Sequence, residues 1–236
     1  MLVKAIKTRP LIPPQDDLLS VIKESLIGVK EKSIIIITSK VVSIWEGRCV
    51  KGNKDDLIKQ EADLYLDKDL KWDVALTIKN NILIPTAGID ESNANGYYIL
   101  WPEKPFESAK KIYDFIKKEF GVNKFGVIIS DSHTTPLRTG IMGIAISFYG
   151  FNPLRNYVGK KDIFGRKLKM SQTNIADSLA AAAVYTMGEG AEQTPIAIIE
   201  GAGNIEFSEK DFSVEINPDD DIYSPLLKSI SWKKKK

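Results

Sequence analysis

The chain has 236 residues, 43% hydrophobic and 27% charged, with a formal net charge of +2. That balance suits a globular protein built as one catalytic domain over residues 1–236, or as two interlocked lobes, and the charge is too small to argue for a nucleic-acid partner. One cysteine, Cys49, and one histidine, His133, exclude a disulfide framework and any Cys- or His-rich metal centre, so oxygen must hold a bound metal, which favours magnesium or manganese.

The opening segment reads as extended and ends in Arg9-Pro10-Leu11-Ile12-Pro13-Pro14, where three prolines forbid a regular helix. Asp16 and Asp17 then head an amphipathic helix with Leu18, Leu19, Ile22 and Leu26 on one face. The continuous apolar run Ser33 to Thr38 predicts a buried strand, which passes into Ser39-Lys40-Val41-Val42-Ser43, read as a polar loop or strand end. Cys49 follows a strand-like Gly-Arg and is expected to be buried and inert. Asp55 to Leu66 reads as helix, and Val74 to Lys79 with Ile82 to Ile84 as a hairpin across Asn80-Asn81.

A polar loop follows at Thr86 to Asn93, then a helix over Ser108 to Phe120 and a strand over Phe125 to Ser130. Asp131 to Gly140 reads as a second polar loop, which makes His133 a loop residue, exposed or in contact with substrate. It feeds an apolar run from Ile141 to Phe148. Gly159 to Arg166 has the form of a turn that presents Arg166, either to a substrate phosphate or to a structural Asp–Arg pair. The alanine-rich stretch Asn174 to Met187 predicts a closely packed helix, and Pro195 to Ile199 a further strand. The end of the chain reads as a hairpin or short helix, with residues 233–236 a solvated basic tail. Helices and strands intermix without strict alternation, which predicts an α+β (mixed α/β) fold and leaves its topology open. No apolar run reaches the roughly 18 residues of a spanning helix and no leader-like segment opens the chain, so the expected location is the cytoplasm, away from membranes.

Three acidic loops follow apolar elements, where sites usually sit. They carry Asp90 with Asn93, Asp131 with Ser132, and Met187-Gly188-Glu189-Gly190-Ala191-Glu192-Gln193-Thr194. Carboxylate, amide and hydroxyl oxygens are the hard ligands that Mg²⁺ or Mn²⁺ prefers, and such ions bridge nucleotide phosphates. Each acidic residue taken alone is equally a turn former or a cap. Neither G-x-x-x-x-G-K-[ST] nor G-x-G-x-x-G occurs. Phosphate contacts therefore fall to Ser39 and Lys40, to the Arg9–Ile12 segment, or to backbone N–H groups around Gly188 and Gly190.

Taken together, Ser39-Lys40-Val41-Val42-Ser43 with Glu46-Gly47-Arg48, Ala87 to Asn93, Val127 to Ser132, Gly159 to Arg166, Ile175-Ala176-Asp177 and Gly188-Glu189-Gly190 resemble, in order, the coenzyme F420 γ-glutamyl ligase family. The resemblance runs from Arg9 to about Gly201. It implies an F420 γ-glutamyl ligase-like fold of largely antiparallel sheets with flanking helices, a homodimer, and a ligase that adds L-glutamate to a small-molecule carboxylate through an acyl phosphate. By position it implies Asp90, Asp131, Ser132 and Glu189 as ligands of two Mg²⁺ or Mn²⁺ ions, with Asp90, Asp131 and Glu189 the catalytic set and K⁺ a further candidate ion. GTP or ATP would be held by Arg9, Pro10, Leu11, Ile12, Ser39, Lys40, Asn93, Met187, Gly188, Glu189, Gly190, Ala191, Glu192, Gln193 and Thr194.

The chain departs from the family pattern at Ile44, where a nucleotide-contacting lysine is expected, so that contact is lost or passes to Lys40. Ser132 replaces a threonine, while Thr134, Thr135 and Leu137 stand for a Gly, an Arg and a Trp. The loss of a cation and a stacking surface leads to the expectation that F420-0 is not the preferred acceptor and that a folate-type carboxylate is the alternative. A catalytically silent nucleotide-binding homologue is the rival of a different class. The retained Asp90, Asp131 and Glu189 argue against it.

Overall fold

A computed structural model describes residues 1–66 and 74–234. Its centre is a five-stranded sheet in the order β1 (Leu2–Ile6), β12 (Ile196–Glu200), β2 (Ile34–Thr38), β8 (Gly126–Thr134) and β9 (Ile141–Tyr149). Among the described residues only β2 and β8 run parallel in this sheet; its other pairs are antiparallel. The unbroken isoleucine run follows from burial of both sheet faces. Ile35 and Ile37 face α1 (Leu18–Ser25), α2 (Ser39–Trp45) and α4 (Pro105–Phe120), while Ile34 and Ile36 face α5 (Ile175–Met187).

Smaller elements surround this core. α3 (Lys54–Glu61) leads into β4 (Leu64–Tyr65), which joins β5 (Leu76–Lys79), β6 (Ile82–Pro85) and β13 (Lys233–Lys234) in a four-stranded sheet. β3 (Cys49–Val50) pairs with β7 (Tyr98–Ile99), and β10 (Leu154–Asn156) with β11 (Gln172–Asn174). With α6 (Ser224–Lys228), the described residues form six helices among mostly antiparallel sheets, the expected α+β class. None of those helices is long and apolar enough to cross a membrane.

Most predicted elements are present, including the hairpin at Asn80-Asn81, and Cys49 is buried as expected. Four readings are corrected. Ser39 to Ser43 is not a loop or strand end but the start of α2, because Val41, Val42 and Ile44 bury themselves in the core, and that tertiary gain outweighs their strand preference. The predicted helix at Asp55 to Leu66 ends at Glu61, since Leu64 and Tyr65 pair with Ile78 and Thr77.

The predicted loop from Asp131 is a continuation of β8. Its residues pair in register with β9, Asp131 opposite Ile144 and Ser132 opposite Gly143, after a bulge at Ile129/Ser130. That bulge carries the strand out of the core, so polar side chains are tolerated beyond it. His133 accordingly lies in a strand, half-buried, with its pKa lowered by burial against the opposing pull of Asp177. Finally, Lys233 and Lys234 of the basic tail pair with Tyr65 and Leu64 through their backbones while their side chains stay exposed; Lys235 and Lys236 lie outside the described residues.

The alanines of α5 permit close approach. A Cβ on Gly143 would lie 2.5 Å from the carbonyl oxygen of Ala180 and 2.7 Å from Val184 Cγ2. Gly143→Val is therefore expected to lift α5 from β9 and destabilise the protein by about 1–3 kcal/mol, the usual cost of overpacking. Urea denaturation checks this, and an unchanged midpoint would show that α5 does not sit tightly on the sheet.

Candidate active site

One cleft, about 480 Å³ in volume, opens beside the central sheet at the end of β2 and along Ser130 to Ser132 of β8. Four segments meet there: residues 8–11, the start of α2, the loop after β6, and the loop after α5, with Asp131 and Ser132 of β8 at its wall. Hydrogen bonds to backbone carbonyls join segments that are remote in sequence. The Thr8 N–H donates to the Gln193 carbonyl at 2.9 Å, and Asn93 Nδ2 to the Gly190 carbonyl at 2.9 Å.

Asp90 is held by its backbone, which exchanges hydrogen bonds with Ile99, and its carboxylate accepts the Ser92 N–H. Lys40, from the first turn of α2, reaches Asp90 Oδ2 at 2.7 Å and also donates to the Ser92 carbonyl and hydroxyl at 2.9 Å. Burial pushes the Asp90 carboxyl up, but Lys40 and the Ser92 donors overcome it and leave the group below its ordinary value.

Asp131 behaves oppositely. Burial, with Asp90 adding like charge, pushes it up to about 6 despite donors from Trp101 and the Ser132 N–H. Glu189 is also raised, by burial first and by Asp90 and Glu192, against the Ser132 hydroxyl and Lys40. Burial is the first cause of both rises, and the neighbouring carboxylates add to it.

The loop after α5 is shaped by its own side chains. Gly188 has φ +80°, Thr194 Oγ1 donates to the Met187 carbonyl at 2.5 Å, and Glu192 folds back to accept the Gly190 N–H at 2.8 Å. The expectation of freely accessible glycine N–H groups is thus corrected at Gly190, whose donor is occupied by Glu192.

Asp90, Asp131, Ser132 and Glu189 all line the cleft, as do Arg9, Pro10, Leu11, Ser39, Lys40, Asn93 and Met187 through Thr194. Ile12 does not line it. Asp16 accepts the Ile12 N–H at 2.9 Å and grips Arg9 at 2.8 and 3.0 Å, and the resulting turn leaves the Ile12 side chain facing solvent. Ile44 lines the cleft where the family pattern has a lysine, and the Lys40 ammonium is already engaged by Asp90.

The resembling motif Glu46-Gly47-Arg48 proves to be architectural. Glu46 accepts the Glu103 N–H at 3.0 Å and the Ser108 hydroxyl at 2.5 Å at the start of α4, and Arg48 pairs with Glu61. In the Gly159–Arg166 turn, Asp162 Oδ1 accepts the backbone N–H groups of Phe164 and Arg166 at 2.9 and 2.8 Å. Thr134, Thr135 and Leu137 are outside the lining of the cleft, and Leu137 is fully exposed.

Sequence reasoning missed Trp101, whose indole N–H donates to Asp131 Oδ2, and Ser130, whose buried hydroxyl has no hydrogen-bond partner among the described residues. Trp101 lies outside every resembling motif, and Ser130, though inside the run Val127 to Ser132, has no role implied there. Among the described residues, no three His, Cys, Asp or Glu side chains are drawn together at metal-holding geometry. The donor chemistry nevertheless fits a hard cation: the candidate ligands are all oxygen, two of the carboxyls are raised, and the Ser130 hydroxyl is unused.

The model of the F420-0:Gamma-glutamyl ligase family matches residues 53–201. The Coenzyme F420:L-glutamate ligase of Methanosarcina mazei is 35% identical over 218 residues, 84% of each chain. Its namesake from Methanocaldococcus jannaschii is 36% identical over 200 residues, 76% of this chain and 79% of the relative. That of Methanosarcina acetivorans is 31% identical over 92% of each.

Proposed function

Because the chain belongs to the F420-0:gamma-glutamyl ligase family, we propose that it is a GTP- or ATP-dependent ligase joining the amino group of L-glutamate to a small-molecule carboxylate such as F420-0. The observation that carries this reading is the convergence of Asp90, Asp131, Ser132 and Glu189 on one cleft that also presents Lys40 and the loop after α5. Phosphoryl transfer asks a protein for positioned charge rather than for a nucleophile, which suits a chain with one His and one Cys.

Asp90, Asp131, Glu189 and the Ser132 hydroxyl would hold Mg²⁺ or Mn²⁺, with K⁺ a further candidate, and these ions when bound supply neutralisation of the triphosphate charge. Lys40 offers an ammonium in the same cleft, and residues 9–11 with the loop after α5 form the walls that orient the nucleotide. The acceptor carboxylate oxygen attacks the γ-phosphorus and the nucleoside diphosphate leaves. The glutamate amine then attacks the acyl carbon, inorganic phosphate departs, and the amine gives up a proton. Thr135 and Leu137 lie outside the cleft of a single chain, so their departure from the family pattern gives no reason within that cleft to set F420-0 aside.

The test is nucleotide hydrolysis with glutamate and candidate acceptors, followed by mass spectrometry. Hydrolysis that requires both partners, with a product heavier by one glutamyl residue, supports the ligase. Metal and nucleotide binding without turnover on F420-0 or folate-type acceptors would leave a silent homologue instead.

We also propose a homodimer. Leu137, Ile163, Phe164 and Met170 are each more than 80% exposed, apolar side chains that association would take out of water. Light scattering at micromolar concentration is expected to give twice 26.3 kDa. An active species at 26.3 kDa would remove the dimer.

A further inference from the structure

We propose that Trp101 is a positioning residue of the metal site, its indole N–H fixing the orientation in which Asp131 offers its carboxylate to a divalent cation. The inference rests on the ligase reading and extends it to a residue that does not line the cleft.

Trp101 is 1% exposed, and its Nε1–H donates to Asp131 Oδ2 while the Ser132 N–H donates to Oδ1 at 2.8 Å. One protein donor on each oxygen stops the carboxylate from rotating, and each oxygen keeps a lone pair for a cation. An indole donates without carrying charge. It therefore orients Asp131 without competing with a cation, unlike the Lys40 ammonium 2.7 Å from Asp90.

The indole is itself held in place. Gly88, at φ +71° in the 3₁₀ turn Thr86–Gly88, approaches so closely that a Cβ there would lie 2.1 Å from Trp101 Nε1. Arg48 Nε donates to the Trp101 carbonyl at 3.1 Å, and the Lys79 ammonium stands 5.8 Å from the ring centroid. Packing alone asks for an aromatic ring; it does not ask that the ring's single polar atom be aimed at a carboxylate of the cleft.

The experiment is an ¹⁵N–¹H spectrum of the tryptophan indoles in the intact chain. The sequence holds four tryptophans, Trp45, Trp72, Trp101 and Trp232, and phenylalanine at each of the other three assigns Trp101 by elimination whether or not Trp101→Phe folds. Mg²⁺ is expected to shift the Trp101 signal, and the shift is lost in Asp131→Asn. Trp101→Phe, where folded, is expected to bind Mn²⁺ about 10–100-fold more weakly by water-proton relaxation.

A Trp101 signal indifferent to Mg²⁺, in a protein that binds Mn²⁺ and turns over, overturns this inference and leaves the ligase standing. A folded Trp101→Phe with wild-type Mn²⁺ affinity overturns it equally. A wild-type protein that binds neither ion removes the inference together with the metal site beneath it.

Discussion

Asp131→Asn is expected to lower kcat by on the order of 10²–10³, the usual loss when one preorganised electrostatic partner is removed. The variant keeps the shape of the side chain but loses its charge. Its new amide group must also face either the Trp101 indole N–H or the Ser132 N–H, donor against donor. Nucleotide turnover at saturating Mg²⁺ or Mn²⁺ measures the effect, and near wild-type kcat would remove Asp131 from the site.

Stability separates this loss from misfolding. Burial, with Asp90 nearby, raises the Asp131 pKa to about 6, so in metal-free protein at pH 7 its charged form weakens the fold rather than supporting it. The asparagine variant removes that penalty but gives up one of the two hydrogen bonds to the side chain, and the two effects oppose, so it is expected to melt close to wild type at that pH. A markedly lower melting temperature would mean that the activity loss reports damage to the fold.

The second large effect concerns Glu61, the last residue of α3. Its Oε2 accepts both Lys79 Nζ at 2.5 Å and Arg48 Nη2 at 2.7 Å, and the Lys79 side chain is only 8% exposed. Glu61→Ala would leave the Lys79 ammonium buried without this partner, a change that typically costs about 3–5 kcal/mol. For a chain of this size, that corresponds to melting roughly 6–20 °C lower.

The pH dependence has a definite sign. Burial raises the Glu61 pKa, but Lys79 and Arg48 overcome it and hold the folded-state value below the ordinary one. Its stabilisation is therefore complete above the ordinary glutamate range and is lost as pH falls through the lowered value. The gap in melting temperature between wild type and Glu61→Gln should narrow on the acid side. A gap that stays constant from neutral to acid pH would show that the charge of Glu61 contributes nothing.

The sequence by itself determined the fold class and the chemistry available to it. Four consecutive β-branched isoleucines, Ile34 to Ile37, favour a strand covered on both faces, and the alanines of α5 fit one of those covers. A chain with one His and one Cys leaves a metal only oxygen ligands, and Asp90, Asp131 and Glu189 are visible as acidic breaks after apolar runs. The ordered motifs point to the family that the similarity to known ligases then shows.

Only the tertiary structure decided how these pieces meet. Val41 and Val42 favour a strand locally, yet burial against the core makes α2 a helix and brings Lys40 to Asp90. The resemblance groups Ile12 with Arg9 to Leu11, and only the turn held by Asp16 shows that the Ile12 side chain faces solvent. Pairing with β9 keeps Asp131 and Ser132 in a strand where their polarity suggests a loop. Trp101 reaches Asp131 across 30 positions and Asn93 reaches Gly190 across 97. Residue type biases the backbone over a few neighbours, whereas a donor and an acceptor so far apart meet only after the sheet has closed and its faces are covered.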